Sequence, residues 1–259
     1  MTHNSLRTAG WLIRCELYKF NKEFLQTMID MVIPPIGAVM VAYVMSYLGL
    51  SSSWGGLMLI GELVFFCIGI PMWRLGQKLI MSWETDESLT FELTLPLPYW
   101  MVLGRIVVSW TLQSMLMNGA TLFVAKLLLG DRFDWSHISW PKVALIYLVM
   151  NLCFCLFAAL VTFGILVMEK IWRFWDRFIF PVSLLCIDFG WSTAYTAYKP
   201  LAWAMLLLPF TYAYEGFRAA VLGQQGFINY WICIGVLLIT CAACAVLGRY
   251  YFKKNLDCV

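Results

Sequence analysis

Glu215 and Arg218 stand three residues apart in the apolar run of residues 208–223, just before the last hydrophobic segment. Charged side chains at membrane depth are costly, and they tend to pair or to face the protein interior. A spacing of three brings this acid and this base onto one face of a helix. The run therefore predicts either a functional charge pair or an ion pair that only fixes a short helix at the membrane surface.

Two further acids, Glu62 and Asp188, fall inside apolar segments. Proton or cation binding by such acids would make the chain an ion-coupled secondary carrier. The alternative is that neighbouring Ser, Thr or Tyr side chains hydrogen-bond each acid inside the bundle. The sequence lacks a convincing internal repeat of the kind that many carriers have, which favours this alternative.

The sequence contains few other residues that could bind a metal ion or catalyse a reaction. The two histidines, His3 and His137, lie far apart, and the CxxC pair Cys241 and Cys244 stands in an apolar segment without His or acidic neighbours. We therefore expect no metal site and no catalytic residue. A GxxxxGK[ST] run is absent, so we expect the chain not to bind ATP by itself.

The amino-acid composition indicates that these residues belong to a membrane protein. The chain has 259 residues, of which 62% are hydrophobic and 13% are charged, and its mean hydropathy is +0.77. A soluble domain carries about 25% charged residues, and a membrane-spanning helix needs about 20 apolar ones. Six segments qualify, namely residues 28–48, 54–73, 101–129, 143–168, 178–195 and 230–247. The sequence predicts an all-α integral membrane protein with six transmembrane helices.

The distribution of Lys and Arg predicts the orientation. Most of the 18 basic residues fall in segments on one side of the predicted spans, while the other side has Lys126, Arg132, Lys142, Lys199 and Arg218. Because cytoplasmic segments carry the excess of basic residues, we expect both termini to be cytoplasmic. The net charge of +3 then reflects this asymmetry, and no basic patch indicates nucleic-acid binding.

Two segments outside the spans have their own patterns. Within residues 1–27, apolar residues recur at helical spacing between positions 11 and 25, which predicts an amphipathic helix in the membrane interface or against a partner. The polar loop of residues 74–98 contains four acids, Glu84, Asp86, Glu87 and Glu92. It is either an amphipathic docking helix or an ordinary solvated loop.

In three places the chain resembles the permease subunits of type 2 ABC exporters, the bacterial ABC-2 type transporter permeases. The first is Phe-Leu-Gln-Thr at residues 24–27 with Pro34 and Pro35 in the first span. The second is Leu-Thr-Leu-Pro-Leu-Pro at residues 93–98 followed by Gly104 and Arg105. The third is residues 209–223, with proline, acid, Phe-Arg and Leu-Gly in order.

The resemblance implies a permease domain at residues 28–259 that pairs with a second permease subunit, most simply as a homodimer. Two copies of a separate ATPase subunit would bind ATP and Mg²⁺. The first 27 residues would carry the interfacial connecting helix, and Glu84, Asp86, Glu87 and Glu92 would lie in the coupling loop that contacts the ATPase. Residues 199–227 would form an external re-entrant hairpin. Its gate residues would be Pro209, Tyr212, Tyr214, Glu215, Phe217 and Arg218.

The same resemblance implies a multi-pass protein of the bacterial inner membrane that exports a lipid-like, drug-like or glycoconjugate substrate. Residues 18–25 depart from the basic motif of polysaccharide exporters, which argues against a long glycan. Trp191, Tyr195 and Tyr198 are candidate pathway residues, although the same aromatics suit an interfacial belt. Besides the ion-coupled carrier, a membrane anchor of a larger assembly that transports nothing remains an alternative.

Overall fold

The computed structural model describes residues 52–76, 98–129, 136–167, 194–223 and 228–256 continuously, and single residues elsewhere such as Trp191. All regular secondary structure in these ranges is helical. The helices are α1 (Ser52–Ile70), which continues into a π-helical turn at Pro71–Leu75, then α2 (Tyr99–Leu129), α3 (Trp140–Val167), α4 (Lys199–Met205), α5 (Pro209–Val221) and α6 (Tyr230–Leu256). The expectation of an all-α chain is confirmed for the described residues.

Three of these helices are long and apolar enough to cross a membrane. The qualifying stretches are Tyr99–Gly119 in α2, Trp140–Phe163 in α3 and Tyr230–Lys254 in α6, and α1 contains the shorter apolar stretch Ile60–Gly69. They correspond to the third, fourth, sixth and second predicted spans. The predicted first and fifth spans, the amphipathic segment of residues 11–25 and the acidic loop lie largely outside the described residues. The described part is therefore a membrane-embedded helical bundle.

Helices α3 and α6 run parallel, side by side. The Tyr230 hydroxyl at the start of α6 donates to the Lys142 carbonyl at the start of α3, at 2.8 Å. Near the other ends, the rings of Phe163 and Phe252 meet with their centroids 4.7 Å apart. Because these contacts keep the same register along both helices, α3 and α6 form a continuous seam to which the other helices are attached.

Helices α1 and α2 pack on α3 in opposite directions. In α2, the Met115 carbonyl accepts a hydrogen bond from the Tyr147 hydroxyl of α3 at 2.8 Å, and Tyr99 lies beside Phe252, so α2 runs antiparallel. Just beyond α1, a Cβ at Gly76 would lie 3.4 Å from the Thr162 hydroxyl, near the end of α3. Helix α1 therefore runs parallel to α3, and the direction alternates between consecutive spans as the sequence predicts.

Helix α5 is short and runs antiparallel to α3. Its Ala220 carbonyl accepts a hydrogen bond from the Ser139 amide, immediately before α3, at 3.0 Å. Its Phe210 ring stacks on Phe154 in the middle of α3, with centroids 5.5 Å apart. Between these two contacts, Gly216 faces both α3 and α6. A Cβ at Gly216 would lie 2.9 Å from Cys233 Cβ and 3.0 Å from Ile146 Cδ1, so the close approach requires glycine.

The two ends of the bundle differ in charge. Arg74 follows α1, Arg105 lies near the start of α2, and Arg249, Lys253 and Lys254 lie in the last two turns of α6. Because of the helix directions, all five residues lie towards one end, called here the basic end. Lys142 and Arg218 lie towards the opposite end, since Ala220 and Tyr230 both contact the start of α3. The basic end is the one that the sequence predicts to be cytoplasmic.

Gly216→Ala should destabilise the protein. The added Cβ collides with Cys233 and Ile146, and overpacking of this kind costs about 1–3 kcal/mol. The measurement is the apparent melting temperature of the purified protein in mild detergent. The control is Gly235→Ala in α6, where a Cβ meets no atom within 4 Å and the gain in helix propensity is up to about 1 kcal/mol. Equal melting temperatures for the two variants would contradict this packing.

Candidate functional site

Glu215 is the most deeply buried charged side chain of α5, with 1% of its surface exposed. Its Oε1 lies 3.3 Å from Nη1 of Arg218, one helical turn further on, and the Arg218 side chain is 12% exposed. The pair therefore forms as the spacing of three predicts. Its burial distinguishes it from a surface ion pair, because both charges are largely removed from solvent and each depends on the other.

A third group joins this pair. The backbone N–H of Trp191 donates to the same Glu215 oxygen at 3.0 Å. Oε2, the other oxygen of Glu215, is buried and has no hydrogen-bond partner among the described residues. Glu215 thus connects the chain at position 191 to α5 through one carboxylate oxygen. Removal of the carboxylate would break its contacts with both Arg218 and the Trp191 amide.

Trp191 also fixes the segment that follows it. Its indole Nε1 donates to the Ala202 carbonyl in α4 at 3.1 Å. Its ring lies 5.1 Å from the Tyr195 ring between centroids, and the Lys199 ammonium lies 5.8 Å from the Tyr195 ring centroid. Position 191, α4 and α5 are therefore one connected unit, called here the Trp191 unit.

The turn between α4 and α5 is fixed by two side chains of α5. The Thr211 hydroxyl donates to the Met205 carbonyl at 2.6 Å, and the Tyr212 hydroxyl donates to the Leu206 carbonyl at 2.9 Å. Pro209 follows the extended residue Leu208 and occupies the first turn of α5, where a missing N–H removes no helical hydrogen bond. These local features end α4 and begin α5 after a turn of three residues.

All six predicted gate residues lie in this unit, on α5. Tyr214 and Phe217 are buried on α5, Tyr212 is half-buried, and Pro209, Glu215 and Arg218 are placed as described above. Among the candidate pathway residues, Trp191 and Tyr195 belong to the unit, whereas Tyr198 is 63% exposed. Glu62 lies half-buried on α1. Asp188 and the loop acids Glu84, Asp86, Glu87 and Glu92 lie outside the described residues.

A second polar cluster lies between α2 and α3, and it was not predicted. The Ser114 hydroxyl donates to Asn151 Oδ1 at 2.7 Å, and Asn118 Nδ2 donates to the Ser114 oxygen at 3.3 Å. Asn151 Nδ2 donates to the Tyr147 carbonyl at 2.8 Å. Two asparagines inside apolar segments were the available signal, since polar side chains in spans tend to hydrogen-bond across helices. This cluster joins α2 to α3 and is separate from Glu215.

Among the residues that the structure describes, no group of three or more His, Cys, Asp and Glu side chains could bind a metal ion. Cys241 and Cys244 of the CxxC pair are buried as free thiols. The Trp191 unit brings a buried charge pair and the aromatic rings of Trp191 and Tyr195 together.

The Glu215 and Arg218 pair should show energetic coupling. Glu215→Ala should destabilise the protein by about 1–3 kcal/mol, because it removes the carboxylate that accepts hydrogen bonds from a largely buried guanidinium and from a backbone amide. Combined with Arg218→Met, the loss should be smaller than the sum of the two single losses by about 1–3 kcal/mol. Unfolding in mixed micelles by an added denaturing detergent gives these free energies.

The control for this cycle is Arg218→Met combined with Ser114→Ala in the separate polar cluster. These two changes share no partner, so their costs should add to within about 0.5 kcal/mol. If Glu215 and Arg218 also add, the two charges do not stabilise each other and the contact between them has no energetic role.

Comparison of the chain with protein-family models, with curated proteins and with solved structures found no match. The function has to be inferred from the residues of this chain and their arrangement.

Proposed function

We propose that this chain is the membrane-spanning subunit of an ATP-driven exporter. Two copies would form a path through the inner membrane for a lipid-like, drug-like or glycoconjugate substrate that moves outward from the cytoplasmic side. Two separate ATPase subunits would bind ATP and Mg²⁺ and supply the energy. The observation that carries the proposal is the position of α5, a half-length helix that begins beside the middle of α3.

The depth of α5 supports a re-entrant hairpin. With 13 residues it is about 20 Å long, whereas α3 with 28 residues is about 42 Å long. Phe210, near its start, stacks on Phe154, and Ala220, near its end, bonds to Ser139 before α3. A chain that enters such a helix has to reach the interior of the bundle first. Helix α4 and the turn of residues 206–208 would form that inward arm.

The charge pair would then serve as a gate element. Glu215 binds both Arg218 and the Trp191 amide, so it connects the hairpin to the chain that precedes it. Separation of the two permease copies would change the surroundings of the contacts that Glu215 makes with Arg218 and the Trp191 amide. The aromatic rings of Trp191 and Tyr195 lie beside these contacts. A gate needs a contact that can alternate between two discrete states, and in this proposal the contacts of Glu215 would break and re-form as the gate opens and closes.

The position of the acidic loop supports an ATPase contact. The π-helical turn after α1 and the start of α2 both lie at the basic end, so residues 76–98 connect two helix ends there. If this end is cytoplasmic, Glu84, Asp86, Glu87 and Glu92 lie on the side where a soluble ATPase can bind. Both termini would lie in the cytoplasm as well, with the chain spanning the membrane six times.

An ion-coupled carrier is the second candidate function. Glu62 is half-buried on α1, a helix that packs against α5, and a proton on Glu62 would be coupled to the hairpin by this contact. A carrier would need no ATPase and would depend on an ion gradient. A membrane anchor that transports nothing would need neither an ATPase nor an ion gradient.

Recovery of an ATPase is the first test. Purified from its native membrane in mild detergent, the chain should bring with it an equal amount of a subunit that contains a P-loop. Quantitative mass spectrometry of the purified complex measures the ratio. An intact permease that repeatedly carries no ATPase would contradict the exporter and favour the carrier with Glu62 and Asp188.

Reversal of charge in the acidic loop is the sharper test. Glu84→Lys combined with Glu87→Lys should lower the amount of recovered ATPase about tenfold. Both changes place a positive charge opposite an ATPase surface that, in this proposal, is basic and binds acidic side chains. Lys253→Glu combined with Lys254→Glu is the matched control, since it reverses two charges at the same end of the bundle. Equal ATPase recovery from the loop variant and the unchanged protein would remove the loop as the contact.

A further inference from the structure

A cavity of about 320 Å³ lies between α2, α3 and α6, in the half of the bundle nearer the basic end. Its walls are mostly apolar and come from all three helices, among them Gly104, Val107, Leu156, Ala159, Ala245 and Gly248. Val108 lines the same cavity and is 44% exposed, so the cavity opens on the outer surface of the described bundle. Because α2, α3 and α6 are each long and apolar enough to cross a membrane, hydrocarbon chains of a bilayer could reach this opening.

Small residues on two helices create this space. A Cβ built at Gly104 or at Gly248 meets no atom within 4 Å, so each glycine leaves room that a side chain would fill. The volume is at the lower end of the range of ligand sites, about 300–1,000 Å³. It accommodates about ten groups of the size of a water molecule, but an apolar cavity offers water too few partners to bind there. A flexible hydrocarbon segment fits both the volume and the lining.

The mouth of the cavity is cationic. Arg249 and Trp100 line it at the basic end. The Arg249 Nε donates to the Tyr99 hydroxyl at 3.1 Å, and its guanidinium carbon lies 5.8 Å from the centre of the Tyr99 ring. This contact holds the exposed Arg249 side chain beside the cavity and leaves its two terminal amino groups to donate elsewhere. No carboxylate among the described residues pairs with Arg249.

Further charge lies close to Arg249. Lys253 is four residues further along α6, which places it on the same helical face. Basic pockets between membrane helices at the cytoplasmic side bind anionic lipid headgroups, and Trp prefers the level of the headgroups. The apolar cavity and the cationic mouth therefore match the two parts of one molecule.

We propose that this cavity binds an acyl chain of an anionic phospholipid from the leaflet at the basic end, with Arg249 at the phosphate of the headgroup. The observations behind this site are independent of whether the chain is an exporter. A bound lipid would fill the space between α2 and α6, which both pack on α3, and would make the stability of this half of the bundle depend on the composition of the membrane.

The test uses the full chain in mild detergent, incubated with phosphatidylglycerol or phosphatidylcholine of identical acyl chains. Native mass spectrometry counts the lipid that each protein molecule retains. We expect phosphatidylglycerol to be retained about tenfold more strongly, as a charged hydrogen-bonded contact allows. Gly248→Leu should abolish this retention by filling the cavity. Gly235→Leu is the control, since it adds the same side chain to α6 away from the cavity.

A second pair of variants tests the headgroup contact without changing the cavity. Arg249→Gln should lower the preference for phosphatidylglycerol to about that for phosphatidylcholine, because it removes the charge and keeps most of the side-chain length. Lys142→Gln removes one charge at the opposite end and should leave the preference unchanged. If Gly248→Leu does not fold, Gly104→Leu fills the same cavity from α2.

Four results would overturn the proposal. Equal retention of the two lipids would mean that the mouth does not select charge, and equal loss in Gly235→Leu would mean that the loss does not come from filling the cavity. Stabilisation of the unchanged protein by inorganic phosphate alone, without lipid, would indicate a simple anion site. A change of oligomeric state in Gly248→Leu with lipid retention unchanged would indicate that a second copy covers the cavity.

Discussion

The close packing of α5 against both α3 and α6 is the contact on which the rest of the described arrangement depends. It is possible because Gly216 presents no side chain to Ile146 and Cys233. Once α5 is seated there, Phe210 reaches the middle of α3 and the Ala220 carbonyl reaches Ser139. Glu215, one residue before the glycine, is also buried. Its charge requires partners at that depth, and Arg218 and the Trp191 amide are the groups that supply them.

Sequence reasoning predicted what depends on local pattern. The apolar windows located α2, α3 and α6, and the spacing of three predicted the contact between Glu215 and Arg218, because both follow from helical periodicity and the length of a membrane span. The alternating directions of the spans followed from the order of basic and apolar segments. The predicted span of residues 54–73 is an exception, since the apolar stretch found in α1 is only Ile60–Gly69.

Features that depend on two segments at once were missed. The Trp191 amide reaches Glu215 from 24 positions away, and Ser114 reaches Asn151 from 37 positions away. Neither contact has a local signature, since its formation depends on the register between helices. Gly216 is the clearest case: one glycine among 18 in the sequence, it is distinguished only by the two helices that converge on it. The cavity near Gly248 is likewise a property of three helices together.

The length of α5 divides the bundle into two halves with different packing. Along α3, the described contacts of α5 run from Ser139 to Phe157, and along α6 they include Cys233. The cavity lies further towards the basic end, lined by Leu156 and Ala159 on α3 and by residues from Cys244 onwards on α6. Atoms that line an unfilled space lose packing contacts, and the acyl chain proposed above would restore them. In a bilayer such hydrocarbon is already present, and in this proposal the cationic residues at the basic end decide which lipid supplies it.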